Sequence, residues 1–136
     1  MARLDGWESR LHDVIEDARH RPYKLGEHDC FRLACRVVEA LTGIDRWPEF
    51  AGYTTKRQAL QALAYYGHSF VAAGDRFFGV EHQPIRMARR GDVMGYCDLT
   101  GEWHLGICIG RNVALLDEAG LAFMDLAVCS CCWRVG

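Results

Sequence analysis

The sequence predicts an α+β fold in which N-terminal helices pack on a small antiparallel β-sheet. Three observations carry that reading. Apolar residues recur at spacings of three and four through the first half of the chain. After Gly91 the pattern changes to short apolar segments of strand length. Helices therefore come first and strands follow, the order of an α+β domain rather than of alternating βα units. The chain has 136 residues, enough for one core and too few for two. Residues 1–136 are read as a single domain, helical over about 1–66 and β over about 91–136.

The elements follow in order. Leu4, Trp7, Leu11, Val14, Ile15 and Ala18 form one stripe and predict a helix over Leu4–Ala18, ended by Arg21-Pro22. Tyr23 to His28 is a loop containing Gly26. Asp29 is a good N-cap for a second helix, with Leu33, Ala34, Val37, Val38 and Leu41 inward and Gly43 as its stop. Ile44 to Tyr53 reads as loop. Thr54 or Thr55 caps a third helix running to Tyr65 or Tyr66. His68 to Ala73 is expected to be strand or irregular, and Gly74 to Arg90 mostly loop with one short helical turn. Strands are expected over Asp92–Cys97, Trp103–Ile109, Asn112–Asp117, Leu121–Asp125 and Cys131–Val135. Asp98 to Glu102 is read as a turn.

Composition narrows the function. The net charge is −2, and no long basic block favours nucleic acid or an anionic membrane. No apolar run approaches the roughly 18 residues that a membrane span needs. The start lacks the apolar stretch of a signal peptide, so the expectation is synthesis in a cytoplasm. There, the seven cysteines are read as reduced thiols, most of them small core hydrophobes.

Cys30 differs from the other six. It directly follows the N-cap, near the unpaired N–H groups of the first turn and the positive end of the helix dipole, both of which favour thiolate. A thiolate nucleophile needs an oriented imidazole. His12 and His20 lie among charged residues, and His68 and His82 lie in weakly patterned segments. His104 stands inside the apolar strand Trp103–Ile109, where a polar ring needs a partner. If Gly110-Arg111 is a two-residue hairpin loop, residue 109 pairs with 112 and His104 falls opposite Asp117. A carboxylate there would fix the imidazole tautomer. Gly106, on the same face as His104, is expected to leave room for the helix carrying Cys30.

These residues resemble the NlpC/P60 family of cell-wall cysteine peptidases and amidases, more narrowly its phage tail-associated members. The family's Tyr, Gly and Asp-Cys at a helix start are matched by Tyr23, Gly26 and Asp29-Cys30. Its Gly-Asp opening the first core strand is matched by Gly91-Asp92. Its His, followed by a strand-forming stretch ending in Gly, is matched by His104 to Gly110. Its third polar residue is matched by Asp117, although His, Asn or Gln is commoner there. The chain departs from the family where Phe31-Arg32 stands in place of Ser-Gly and in the insertion between Thr42 and Arg90. Its Trp133-Arg134 ending is closer to the tail-associated members.

The resemblance implies a papain-like fold and a peptidoglycan stem-peptide amide as substrate, with no cofactor. Cys30 would attack the carbonyl, and His104 would take and return the proton. Asp117 would orient His104, and Tyr23 would donate to the oxyanion beside the Cys30 N–H. Phage tail-tip or hub proteins are the implied partners, and incorporation into a phage-like tail the implied destination. The alternative is a structural tail hub or adaptor that keeps the fold with little activity. Metal binding is disfavoured: Cys129-Ser130-Cys131-Cys132 and His28-x-Cys30 match zinc spacing poorly, and Cys131 and Cys132 should face opposite sides of a strand.

Overall fold

The computed structural model describes residues 2–136. The first stripe forms helix α1, Trp7–His20, with Leu11 and Ala18 buried. Leu4 lies ahead of it, its N–H donating to Leu41 O at 2.7 Å. Helix α2 is Cys30–Thr42. The Asp29 carboxylate accepts from Arg32 N at 2.9 Å, and Gly43, at φ +79°, ends the helix by donating to Glu39 O. Its apolar face is the expected one, with Leu33, Ala34, Val37, Val38 and Leu41 buried. Helix α3, Lys56–Ala64, starts at the Thr55 cap and ends a residue or two earlier than the sequence suggests.

The main correction lies between His68 and Arg90. Instead of strand and loop, Phe70–Phe78 forms helix α4, capped by Ser69, whose hydroxyl accepts from Ala72 N at 3.1 Å. Aromatic and β-branched residues and a central glycine argue against helix locally. Tertiary packing overrides them: α4 lies on Trp133 so closely that a Cβ at Gly74 would strike the indole. Phe70 and Phe78 pack on the same ring. A single 3₁₀ turn follows at Ile85–Met87.

The sheet has five strands, β1 Val93–Cys97, β2 Trp103–Cys108, β3 Asn112–Asp117, β4 Gly120–Asp125 and β5 Cys131–Trp133. Their order is β4-β3-β2-β1-β5, and every pairing is antiparallel. One face, carrying Val93, Leu105, Ile107, Ala114, Leu116, Cys131 and Trp133, shares a core with α1 and α2. The other face, carrying Met94, Cys108, Val113, Leu115, Cys129 and Cys132, is covered by Ile85, Ala88 and Leu126. Cys131 and Cys132 do point to opposite faces. Asp92 is fully buried and clamps the two ends of the chain: it pairs with Arg3 at 2.9 Å and accepts from Val135 N at 3.1 Å. The described residues thus form a mixed α/β domain of four helices and a five-stranded antiparallel sheet. No helix among the described residues is long and apolar enough to cross a membrane.

Candidate active site

Cys30 opens α2, and the residues before it hold that start in place. The Asp29 side chain is buried and uses both oxygens. One accepts the capping bond from Arg32 N. The other accepts from Gly26 N at 2.8 Å and from the Tyr53 hydroxyl. Gly26 is required twice over: its φ is +82°, and a Cβ there would collide with the Tyr53 carbonyl oxygen. Tyr53 sits in an aromatic cluster with Phe31, Trp47 and Phe50. Burial, then the bond to Asp29, holds its hydroxyl well above the ordinary tyrosine range, so it remains a donor.

The Cys30 sulfur is directed at the sheet. The β2–β3 ladder runs from Cys108↔Val113 to Gly106↔Leu115 and stops. Just beyond it, the Leu105 N–H lies near the Cys30 thiol, as do the N–H groups of Cys30 and Phe31. These donors favour thiolate, as the helix start does, but burial outweighs them and pushes the thiol up to about 12. Burial under the packed helix and sheet thus opposes the lowering that the first-turn N–H groups favour.

The register inferred for the second hairpin holds: Ile109 N donates to Asn112 O at 2.9 Å, and Gly110 has φ +116°. The expected His104–Asp117 contact does not form. The strands part beyond Gly106 and Leu115, Asp117 pairs with Gly120 of β4, and its carboxylate accepts from Ala119 N at 2.8 Å. His104 instead bonds Asp98 through Nε2 at 2.8 Å. Asp98 lies in the β1–β2 turn, where its other oxygen accepts from Thr100 N, Thr100 Oγ1 and Glu102 N. The Thr100 hydroxyl, then His104, hold this carboxyl well below its usual range. An ionised Asp98 only accepts, so Nε2 carries the ring proton and Nδ1 is free to act as a base. The Tyr96 ring lies over the imidazole at 5.8 Å. Gly106 makes room for Val113 and Leu115 rather than for α2.

Tyr23, Cys30, His104 and Asp117 all line one cavity of about 780 Å³. Tyr23 is half-buried, and burial, followed by the nearby Asp29, raises its hydroxyl to about 12. Among the described residues no hydrogen bond joins the Cys30 and His104 side chains. His28 is structural: it is buried between α1 and α2, 3.3 Å from Ala18 O and 3.4 Å from Arg36, and burial lowers its pKa. Asp98, Glu102 and His104 bring possible metal-ligand atoms within 4.8 Å of one another. Their carboxylates are already engaged, Asp98 by the turn and His104, and Glu102 by Lys56 at 2.7 Å.

Asp98 and Tyr53 were not singled out in the sequence. Asp98-Leu99-Thr100-Gly101 does carry a usable signal, since an Asp bonding the backbone two residues on is a common turn device. Tyr53 has no such local signal. Its role depends on a fold contact across 24 residues.

No curated protein and no solved structure matches the chain. One family model does, described as a domain of unknown function, DUF6950, and it matches residues 2–135. With nearly the whole length covered, the chain belongs to the DUF6950 family.

Proposed function

We propose that this protein is a papain-like cysteine hydrolase of NlpC/P60 type that cleaves an amide bond. The observation that carries the reading is the shared cavity: a thiol at a capped helix start, an imidazole held by an ionised carboxylate, and a tyrosine hydroxyl. His104 Nδ1 takes the Cys30 proton as the sulfur attacks the carbonyl carbon. The oxyanion that forms is met by the Cys30 N–H and the Tyr23 hydroxyl, which its raised pKa keeps protonated. His104 then protonates the leaving amine. Water, deprotonated by His104, hydrolyses the thioester and frees the thiol. Asp98 orients the imidazole throughout.

The resemblance of Tyr23 to Asp117 to the wall peptidases supports a peptidoglycan stem peptide as substrate. It also supports a place in a phage-like tail tip after synthesis in a bacterial cytoplasm. Digestion of purified peptidoglycan, with mass analysis of the fragments, tests this: new amine termini with wild type and none with Cys30→Ser are expected. Intact wall after wild-type treatment would refute the substrate. A second reading, a structural tail hub or adaptor, is favoured by two observations. The Cys30 thiol is raised to about 12 by burial, and no hydrogen bond links it to His104 among the described residues.

A further inference from the structure

The imidazole of His104 is one of three ligand-type side chains gathered at the β1–β2 turn. Asp98, Glu102 and His104 each bring one oxygen or nitrogen within 4.8 Å of the others. The turn fixes Asp98. One of its oxygens is used by Thr100 and by Glu102 N, and the other meets His104 Nε2 at 2.8 Å. A separate contact shows that this spot attracts positive charge. Lys56 reaches across from α3 and sets its ammonium on Glu102 at 2.7 Å, with Asp98 and Glu118 nearby. The Lys56 side chain is 61% exposed, so an ion of higher charge can displace the ammonium into water. Glu102 is exposed, which gives such an ion its way in.

We propose that Asp98, Glu102 and His104 form a site for a divalent transition-metal ion, zinc above all, and that its occupation switches the hydrolase off. Zinc takes imidazole nitrogen and carboxylate oxygen at about 2.0–2.2 Å, commonly with three protein ligands and a water in a tetrahedral array. The ligand atoms of such an array stand about 3.3 Å apart. The Nε2–Oδ2 pair opens slightly to admit the ion, and Glu102 closes on it once released from Lys56. An imidazole among the ligands favours zinc over magnesium, which takes oxygen ligands. Metal on Nε2 moves the ring proton to Nδ1. The neutral ring keeps its single proton, and none is lost. Nδ1 then has no lone pair with which to take the Cys30 proton. The off state rests on the reading of His104 as the base, whereas the metal site does not.

The test reads the ring itself. The full chain, reduced and carrying isotope-labelled histidine, is titrated with zinc chloride and followed by NMR of the imidazole nitrogens. His104→Gln assigns the signals. The ring should begin with its proton on Nε2 and end with metal on Nε2 and the proton on Nδ1. Glu102→Gln, at an exposed position, should raise the zinc concentration needed by at least about tenfold. Lys56→Met, which frees Glu102, should lower it. Magnesium should leave the ring unchanged, and an equal magnesium effect would overturn the assignment to a transition metal. Zinc on Nδ1, an unaltered His104 ring, or a zinc demand unchanged in Glu102→Gln would each overturn the site. Zinc held only by thiols leaves the ring unaltered and counts against it. Acetylation of Cys30 by p-nitrophenyl acetate, measured in parallel, should fall in step with metal on the ring. Acetylation that persists on the metal-bound ring would overturn the off state. A Cys30 never acetylated, even without zinc, would overturn the nucleophile reading and the off state with it, while the ring signals still decide the metal site.

Discussion

Replacing Tyr53 by phenylalanine removes one oxygen from the buried anchor beneath Cys30. In the native structure one Asp29 oxygen has two donors, Gly26 N at 2.8 Å and the Tyr53 hydroxyl. Tyr53 and Asp29 are 5% and 2% exposed, so water cannot readily replace the lost donor. A buried hydrogen bond to a charged group contributes about 1.5–3 kcal/mol. The phenyl ring itself stays packed against Phe31 and Phe50, so little cavity cost is added. For 136 residues, unfolding entropy of about 2.1 cal/mol/K per residue converts this loss to a drop of about 5–10 °C in Tm. Differential scanning calorimetry measures it, with agreement of calorimetric and van't Hoff enthalpies as the check on two-state unfolding. The same variant should slow acylation of Cys30, because Asp29 caps the helix that presents the thiol. A Tm within about 2 °C of wild type would refute the claim that Tyr53 anchors the site.

Other consequences are equally concrete. Gly26→Ala forces a side chain into φ +82° and against Tyr53 O; it should cost at least about 1–2 kcal/mol in urea unfolding, and no measurable loss would contradict the packing described. Asp98→Asn should lower Cys30 acylation on the order of 10²-fold, whereas Asp117→Asn should have a much smaller effect; the reverse order would restore Asp117 as the partner of His104. Burial raises the thiols of Cys35 and Cys129 to about 12 and those of Cys131 and Cys132 to about 11. A raised native pKa gives stability that is complete below the unfolded value of about 8.5 and is lost as pH climbs toward the native one. Under reducing conditions each of these thiols should therefore cost about 1.4 kcal/mol per pH unit between roughly pH 9 and 11. A urea midpoint unchanged from pH 7 to pH 10 would exclude this.

Most of the fold was legible because local chemistry and tertiary need agree there. Asp29 and Gly43 cap α2 as residues of their type do, and the apolar stripe between them is its buried face. Gly110 sets the hairpin register. Helix α4 was not legible, because its glycine and aromatics argue against helix and only Trp133, far along the chain, explains them. In the site, Cys30, His104 and Tyr23 could be singled out in the sequence and are gathered on one cavity. The carboxylate was misassigned for a physical reason. Correct register did place Asp117 across from His104, but the strands separate where Cys30 meets Leu105, and a turn residue on the other side takes the imidazole. Sequence reveals a helix start but not the burial around its thiol, which works against the thiolate.

The most direct test of the nucleophile assignment is trapping of the acyl-enzyme. Wild type, Cys30→Ser and His104→Ala are each incubated with p-nitrophenyl acetate near neutral pH, quenched in acid and mapped by peptide mass spectrometry. A single predominant acetyl thioester is expected at Cys30, formed with a burst of nitrophenol. It should be absent in Cys30→Ser and reduced on the order of 10²-fold in His104→Ala. Acetylation at Cys97 equal to that at Cys30, or a Cys30 adduct indifferent to His104, would contradict it.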